Sequence, residues 1–144
     1  MNSREAQKAA LKLRYPASRL DKLGVKDTSI VAVLGVDDPT FRDEIAARTR
    51  TVSFGRTRKQ CSLIIYGVSA LPDLDALTRL RETIAQDGAI WVVWPKGRKE
   101  LREDDVRRAA IAQGLVDIKV MSFSDTLSGL KLVIPVAQRK RDPR

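Results

Sequence analysis

The stretch "GAIWVVWPKGRK", Gly88 to Lys99, decides how this chain folds. Six consecutive apolar residues, Ala89 to Trp94, run directly into a proline and a basic knot. A short run of this kind, with no polar alternation, fits a strand covered on both faces. Trp91 and Trp94 lie three apart, so a strand turns them to opposite faces and each can pack beneath a different helical layer. Packing is the reading for Trp91; for Trp94, the last residue before Pro95, core and pocket wall stand about even. Open α/β folds bind ligands beyond the C-terminal ends of their parallel strands. Lys96, Gly97, Arg98 and Lys99 take that position. Gly97 would let backbone amides approach an anion, and the cations would hold a phosphate or carboxylate. The competing reading is that a strand-to-helix loop is polar in any case.

Working outward, Ser3 can cap a helix through Leu13, which Tyr15-Pro16 interrupts, and a short helix from Ala17 to Leu23 ends at Gly24. "SIVAVLG", Ser29 to Gly35, has the β-branched content of a first, buried strand. Asp37-Asp38-Pro39 starts a helix to Arg48, with carboxylates at the positive end of its dipole and proline in its first turn. "TVSF" is a weak strand candidate and "CSLIIYG", Cys61 to Gly67, a better one. Leu74, Leu77, Leu80 and Ile84 predict a helix from Asp73 to Gln86, with Gly88 after its end. Beyond the tryptophans, a helix from Glu103 to Gln113 stops at Gly114. Val116, Ile118 and Val120 then alternate with Asp117 and Lys119, which predicts a strand with one wetter face, and "DTLSG" turns the chain into "LKLVI".

Strands alternating with helices predict a mostly parallel α/β sheet layered by helices, closed by a C-terminal antiparallel hairpin. One domain over 1–138 accounts for the chain, with a helical extension at 1–24 and a basic tail at 139–144. Only a short loop separates Phe54 from Cys61, whereas a parallel crossover takes about a dozen residues or more. A strand-helix unit is expected to be deleted or remodelled there.

Composition excludes several chemistries. The 144 residues include one cysteine and no histidine. That removes intrachain disulfides, multi-cysteine metal sites, Ser-His and Cys-His nucleophile pairs and the commonest neutral-pH acid/base. No metal site is expected, and Cys61 reads as a buried structural thiol. No G-x-x-x-x-G-K-[ST] loop is present, and "VLGVDDPT" has one glycine where a dinucleotide fingerprint has three. Asp37 and Asp38 would repel a pyrophosphate from that helix end. Ser122, Ser124, Thr126 and Ser128 could rim a polar pocket, but no activating histidine stands near them. No catalytic residue is assigned and no cofactor is expected, which leaves enzyme status open and leaning against.

Lys and Arg number 27 against 18 Asp and Glu, a net charge of +9, and the excess is concentrated. Arg48, Arg50, Arg56, Arg58 and Lys59 form an acid-free run; Lys96 to Arg102 and the tail with Arg139, Lys140 and Arg141 carry most of the rest. With no signal-peptide core and no run of about 20 apolar residues, a cytoplasmic protein without membrane contact is expected.

From Leu74 onward the order of elements resembles the C-terminal half of class I S-adenosylmethionine-dependent methyltransferases. More closely, the chain resembles a bacterial family, domain-of-unknown-function family 3052. The resemblance rests on "KLGVKD" (Lys22 to Asp27), "DGAIWVVWPKG" (Asp87 to Gly97), "REDDVRRAAIAQGLVDIKV" (Arg102 to Val120) and "SDTLSGLKLVIP" (Ser124 to Pro135), together about two thirds of the chain. It implies a three-layer αβα, Rossmann-like and methyltransferase-like sheet, without implying methyl transfer. In active methyltransferases the first strand leads into a Gly-x-Gly turn and an acid ending the second strand holds the ribose hydroxyls. Here the corresponding segments read "LGVDD" and "FGRTRK".

Three readings follow. The first is a non-catalytic methyltransferase-like binding or regulatory module, holding an anionic small molecule or a protein partner at Trp94, Lys96, Gly97, Arg98, Lys99, Ser124, Thr126 and Ser128. The second is a nucleic-acid-associated protein using Arg48, Arg50, Arg56, Arg58, Lys59, Arg139, Lys140 and Arg141, with Phe54 among the cations. The third is an enzyme using a nucleotide or methyl donor in a divergent pocket. An edge strand or the Ala-rich N-terminal helix could mediate a homodimer.

Overall fold

Among the described residues six strands form one sheet, of which four run parallel. A computed structural model describes residues 18–140; the expected helix from Ser3 to Leu13, and Arg141, lie outside them. In chain order the elements are α1 (Arg19–Leu23), β1 (Ile30–Leu34), α2 (Pro39–Arg48), β2 (Thr51–Phe54), β3 (Cys61–Gly67), a 3-10 helix (Leu71–Ala76), α3 (Leu77–Thr83), β4 (Ile84–Pro95), α4 (Glu103–Ala112), β5 (Val116–Ser122), β6 (Leu127–Val133) and a short 3-10 turn (Val136–Gln138). Their order across the sheet is β2-β1-β3-β4-β6-β5. β2, β1, β3 and β4 run parallel, and β6 lies antiparallel between β4 and β5.

The continuous apolar runs are explained by two cores, one on each face. On one face, Ile90, Val92 and Trp94 of β4 meet Leu74, Leu77 and Leu80 before and within α3, and Val106 and Ala110 of α4. On the other, Ala89, Trp91 and Val93 meet Leu20 and Leu23 of α1 and Phe41 and Ile45 of α2. The two indoles therefore point to opposite layers. Trp91 is fully buried, and its Nε1–H donates to the Leu23 carbonyl at 2.9 Å.

α2 starts where the sequence places it: Pro39 opens the helix, and the Asp38 carboxylate accepts from the Phe41 amide at 3.0 Å. Arg19 joins this cap to α1. Its guanidinium lies 5.0 Å from the Phe41 ring centre and 4.8 Å from that of Phe123, and it reaches Asp38 at 3.2 Å and Glu44 at 3.0 Å. A planar, forked cation suits this slot and an ammonium does not. Arg19→Ala is expected to lower unfolding stability by about 1–2 kcal/mol and Arg19→Lys to recover only part of it, as measured in urea.

Two sequence expectations are corrected. The helix expected from Asp73 to Gln86 ends at Thr83, because Ile84 already pairs with Cys61 as strand. Four residues then bulge from the ladder before Ala89 pairs with Leu63, and Gly88 fits there because a Cβ would lie 3.0 Å from both the Ala85 and the Cys61 carbonyl oxygens. On β5, the apolar Val116, Ile118 and Val120 are exposed, at 37%, 56% and 52%. β5 is the outer strand of the sheet, and a bulge between Asp117 and Lys119 breaks its alternation.

The short connection after Phe54 also has its explanation. β2 and β3 do not pair with each other but flank β1. The loop must return about 13 Å along the strands and cross two spacings, about 10 Å, which six extended residues can span. It is pinned where it lands: the Gln60 amide donates to the Thr83 carbonyl and the Cys61 thiol to the Arg58 carbonyl, at 2.9 and 2.8 Å. The connection is a direct loop without a helix, in line with the expectation that a strand-helix unit is deleted or remodelled there.

Candidate functional site: a basic crevice beyond β4

At Pro95 the chain leaves β4, and the Lys96 amide donates to the Thr126 carbonyl at 2.9 Å. That bond fixes the start of the loop to the β5–β6 turn. The Lys96 ammonium donates to Ser122 Oγ at 2.6 Å, and Ser122 in turn donates to the Ser124 carbonyl. Arg98 reaches the other way, to the Ser69 carbonyl at 3.3 Å. Ser69 is itself held: its amide and that of Ala70 donate to the Asp73 carboxylate. The Ser69 amide bond is the main reason that carboxyl is held below its ordinary pKa, with the Ala70 amide and the Ser69 hydroxyl adding to it. A lowered carboxyl pKa stabilises the fold above the ordinary carboxylate range, and that contribution fades as pH falls through the lowered value. Acidification therefore loosens the loop on which Arg98 leans.

Between these anchors and the start of α4 lies a crevice of about 390 Å³, lined by Trp94, Lys96, Gly97, Arg98, Lys99, Leu101, Arg102, Glu103 and Ser128. Trp94 is only 4% exposed, so it serves both as core and as the floor of the crevice. Among the described residues none of Lys96, Arg98, Lys99 and Arg102 is in an ion pair, whereas the single acid, Glu103, is paired with Arg107 at 2.8 Å. The crevice is therefore electropositive, and its cations have capacity for an oxyanion.

Six of the eight residues singled out in the sequence meet here. Ser124 and Thr126 do not: the Ser124 hydroxyl accepts from the Thr126 and Leu127 amides and closes the turn, while Thr126 faces a neighbouring cavity. Leu101, Arg102 and Glu103 were not singled out, although Arg102 belongs to the same basic run.

The second basic set does not gather into a pocket. Arg48 is tied to Asp21 and to the Val25 carbonyl. Arg50 precedes β2, and Arg56, Arg58 and Lys59 lie on the loop that follows it, all exposed. Phe54 is covered by Arg42, 4.2 Å from its ring centre, which removes one face from base stacking. Arg139 donates to the Ile134 carbonyl, and the Lys140 amide to Gln86.

No family model matches the chain, and no curated protein matches it in sequence. Solved structures do resemble it. A TehB-like S-adenosylmethionine-dependent methyltransferase from Corynebacterium glutamicum superposes with a TM-score of 0.56 at 12% identity, covering 92% of this chain and 97% of that one. A ribosomal protein L11 methylase from Lactobacillus delbrueckii gives 0.54 at 16%, covering 89% and 79%. Magnesium protoporphyrin IX methyltransferase from Synechocystis gives 0.55 at 12%, covering 81% and 74%. At such identities the likeness establishes architecture: the chain has the mixed α/β, Rossmann-like methyltransferase fold, with an antiparallel strand pair at its C-terminus.

Open α/β sheets bind ligands where the chain switches direction across the sheet, here at the ends of β1 and β3. A cavity of about 320 Å³ lies there, lined in part by Gly35, Asp37, Gly67 and Ser69. The backbone pinches it, since a Cβ on Gly67 would come 2.3 Å from the Gly35 oxygen. Asp38 is engaged as helix cap and partner of Arg19. At the end of β2, Gly55 bonds to the Val33 carbonyl and Arg56 follows, with no carboxylate to hold a ribose. Neither the Gly-x-Gly turn nor the acid of the resemblance stands at these positions.

Proposed function

We propose that the chain is a member of domain-of-unknown-function family 3052 and acts in the cytoplasm as a non-catalytic, methyltransferase-like binding or regulatory module. Its ligand is an anionic small molecule, or the acidic surface of a protein partner, held at the crevice beyond β4. The observation that carries this reading is the convergence of four cations, without carboxylate partners among the described residues, on a buried indole floor. Trp94 offers a flat apolar surface, while Lys96, Arg98, Lys99 and Arg102 supply charge.

Thermal-shift screening against cell metabolites, S-adenosylmethionine and its demethylated product tests it. A ligand at a hundredfold its dissociation constant adds about 2.7 kcal/mol of stability. A metabolite anion is expected to raise the melting temperature while the methyl donor does not; stabilisation by the methyl donor would favour a divergent enzyme instead. The double change Lys96→Glu and Arg98→Glu is expected to abolish binding of the ligand found, and unchanged affinity rejects the crevice.

Arg50, Arg56, Arg58 and Lys59, exposed and in no ion pair among the described residues, support a second reading, electrostatic association with nucleic acid. Mobility shifts that weaken steeply with salt support it, and absence of binding to single or double strands at low ionic strength rejects it.

A further inference from the structure

At the opposite end of the sheet from the crevice, two cations, Lys131 and Arg139, line a separate cavity. Lys119 on β5 pairs directly across from Lys131 on β6. Like charges placed opposite each other on neighbouring strands repel. The two lysines are treated differently by the fold. Lys119 reaches the carbonyl of Lys22, the last turn of α1, at 2.9 Å, where a cation suits the negative end of the helix. Lys131 makes no hydrogen bond or ion pair among the described residues, although it is partly buried beside Gly24. Desolvation, and after it the charge of Lys119, lowers the Lys131 pKa from its ordinary value.

Lys131 lines a cavity of about 270 Å³ together with Arg139, Ser29 and Asp87. The Nε of Arg139 donates to the Ile134 carbonyl at 3.0 Å, which orients its guanidinium and leaves its two terminal nitrogens with donors to spare. The Ser29 hydroxyl accepts from the Lys26 amide and keeps its own proton for another acceptor. Asp87, the one carboxylate in the lining, is exposed and belongs to no ion pair among the described residues.

We propose that this cavity is a second ligand site, in which Lys131 and Arg139 hold a compact oxyanion, the phosphate or carboxylate group of a small molecule. The anion supplies the counter-charge that the paired lysines lack, and it sits apart from the crevice at Lys96 and Arg98. A snorkelling lysine would need no second cation converging on the same space. Here Arg139 is oriented toward it by its own backbone contact.

The test uses the full chain at low ionic strength with two probes, inorganic phosphate and acetate, followed by the ε-carbon resonance of Lys131 and the amide of Gly24. An anion is expected to move both resonances. Lys131→Gln and Arg139→Gln are each expected to weaken the affinity at least about tenfold, Lys131→Arg to recover part of it, and the Lys96→Glu, Arg98→Glu double variant to leave it unchanged. Tighter binding of phosphate assigns a phosphate ester as ligand, and tighter binding of acetate a carboxylate. Thermal melts of the variants confirm that each is folded, and Lys131→Arg retains the charge if the glutamine variant is not. The proposal is overturned if neither probe moves Lys131, or if affinity survives both glutamine substitutions in folded protein.

Discussion

Trp91→Ala is expected to lower the unfolding free energy by about 4 kcal/mol, seen as a shift of the urea midpoint without loss of the methyltransferase-like secondary structure under native conditions. The indole is wholly buried between β4 and α1, and it fills space that Gly129 leaves on β6, where a Cβ would lie 3.3 Å from the ring. Alanine would leave a cavity, and it would strip the Leu23 carbonyl of its indole donor. Trp91→Phe separates the two effects: it keeps most of the packing and loses the hydrogen bond, at a cost of about 1–2 kcal/mol. A loss below about 1 kcal/mol for the alanine variant would mean that α1 is not packed on the sheet as described.

Gly67→Ala is expected to be nearly as damaging, at about 3 kcal/mol or more, because the new methyl would meet main chain that cannot rotate aside. Its Cβ would fall 2.3 Å from the Gly35 oxygen and 2.7 Å from the Gly35 carbonyl carbon. Gly35→Ala meets the Gly67 oxygen at 2.7 Å and adds the strain of a backbone φ of +70°. Both changes force apart the same two loops, so the double variant is expected to cost less than the sum of the singles in chemical denaturation. Full additivity would show that the loops do not touch.

Much of the architecture is legible in the sequence because burial on both faces leaves an unbroken apolar run. Ser29 to Gly35, Cys61 to Gly67 and Ala89 to Trp94 read this way, and each is an interior strand. The three-residue spacing of the tryptophans likewise gives their opposite layers. Where the reading fails, the pattern serves two structures equally. Ile84 continues the helical spacing of Leu74, Leu77 and Leu80, yet as the first residue of β4 it buries its side chain just as completely. On β5 the sequence alternates, but that pattern cannot say whether a strand has a neighbour on both sides, nor that a bulge breaks it after Asp117.

The candidate site divides in the same way. The basic run after Trp94 is local, so a loop that turns back on itself keeps Lys96, Arg98 and Lys99 together whatever the rest of the fold does. Ser128 joins them through the antiparallel pairing of Trp94 with Ser128. Ser124 and Thr126 look equally suitable in sequence, but their hydroxyl and main-chain groups are consumed in closing the turn. The pair of lysines across β5 and β6 is invisible in sequence, since it depends on a register that a single bulged residue sets.

That inserted residue has a further consequence. By spoiling the regular spacing of main-chain donors and acceptors along the outer margin, Ile118 deprives any incoming segment of a straight template, despite the apolar side chains displayed there. Shortening the strand by that one position would give a smooth, sticky border, and the protein would be prone to assemble side by side into fibres.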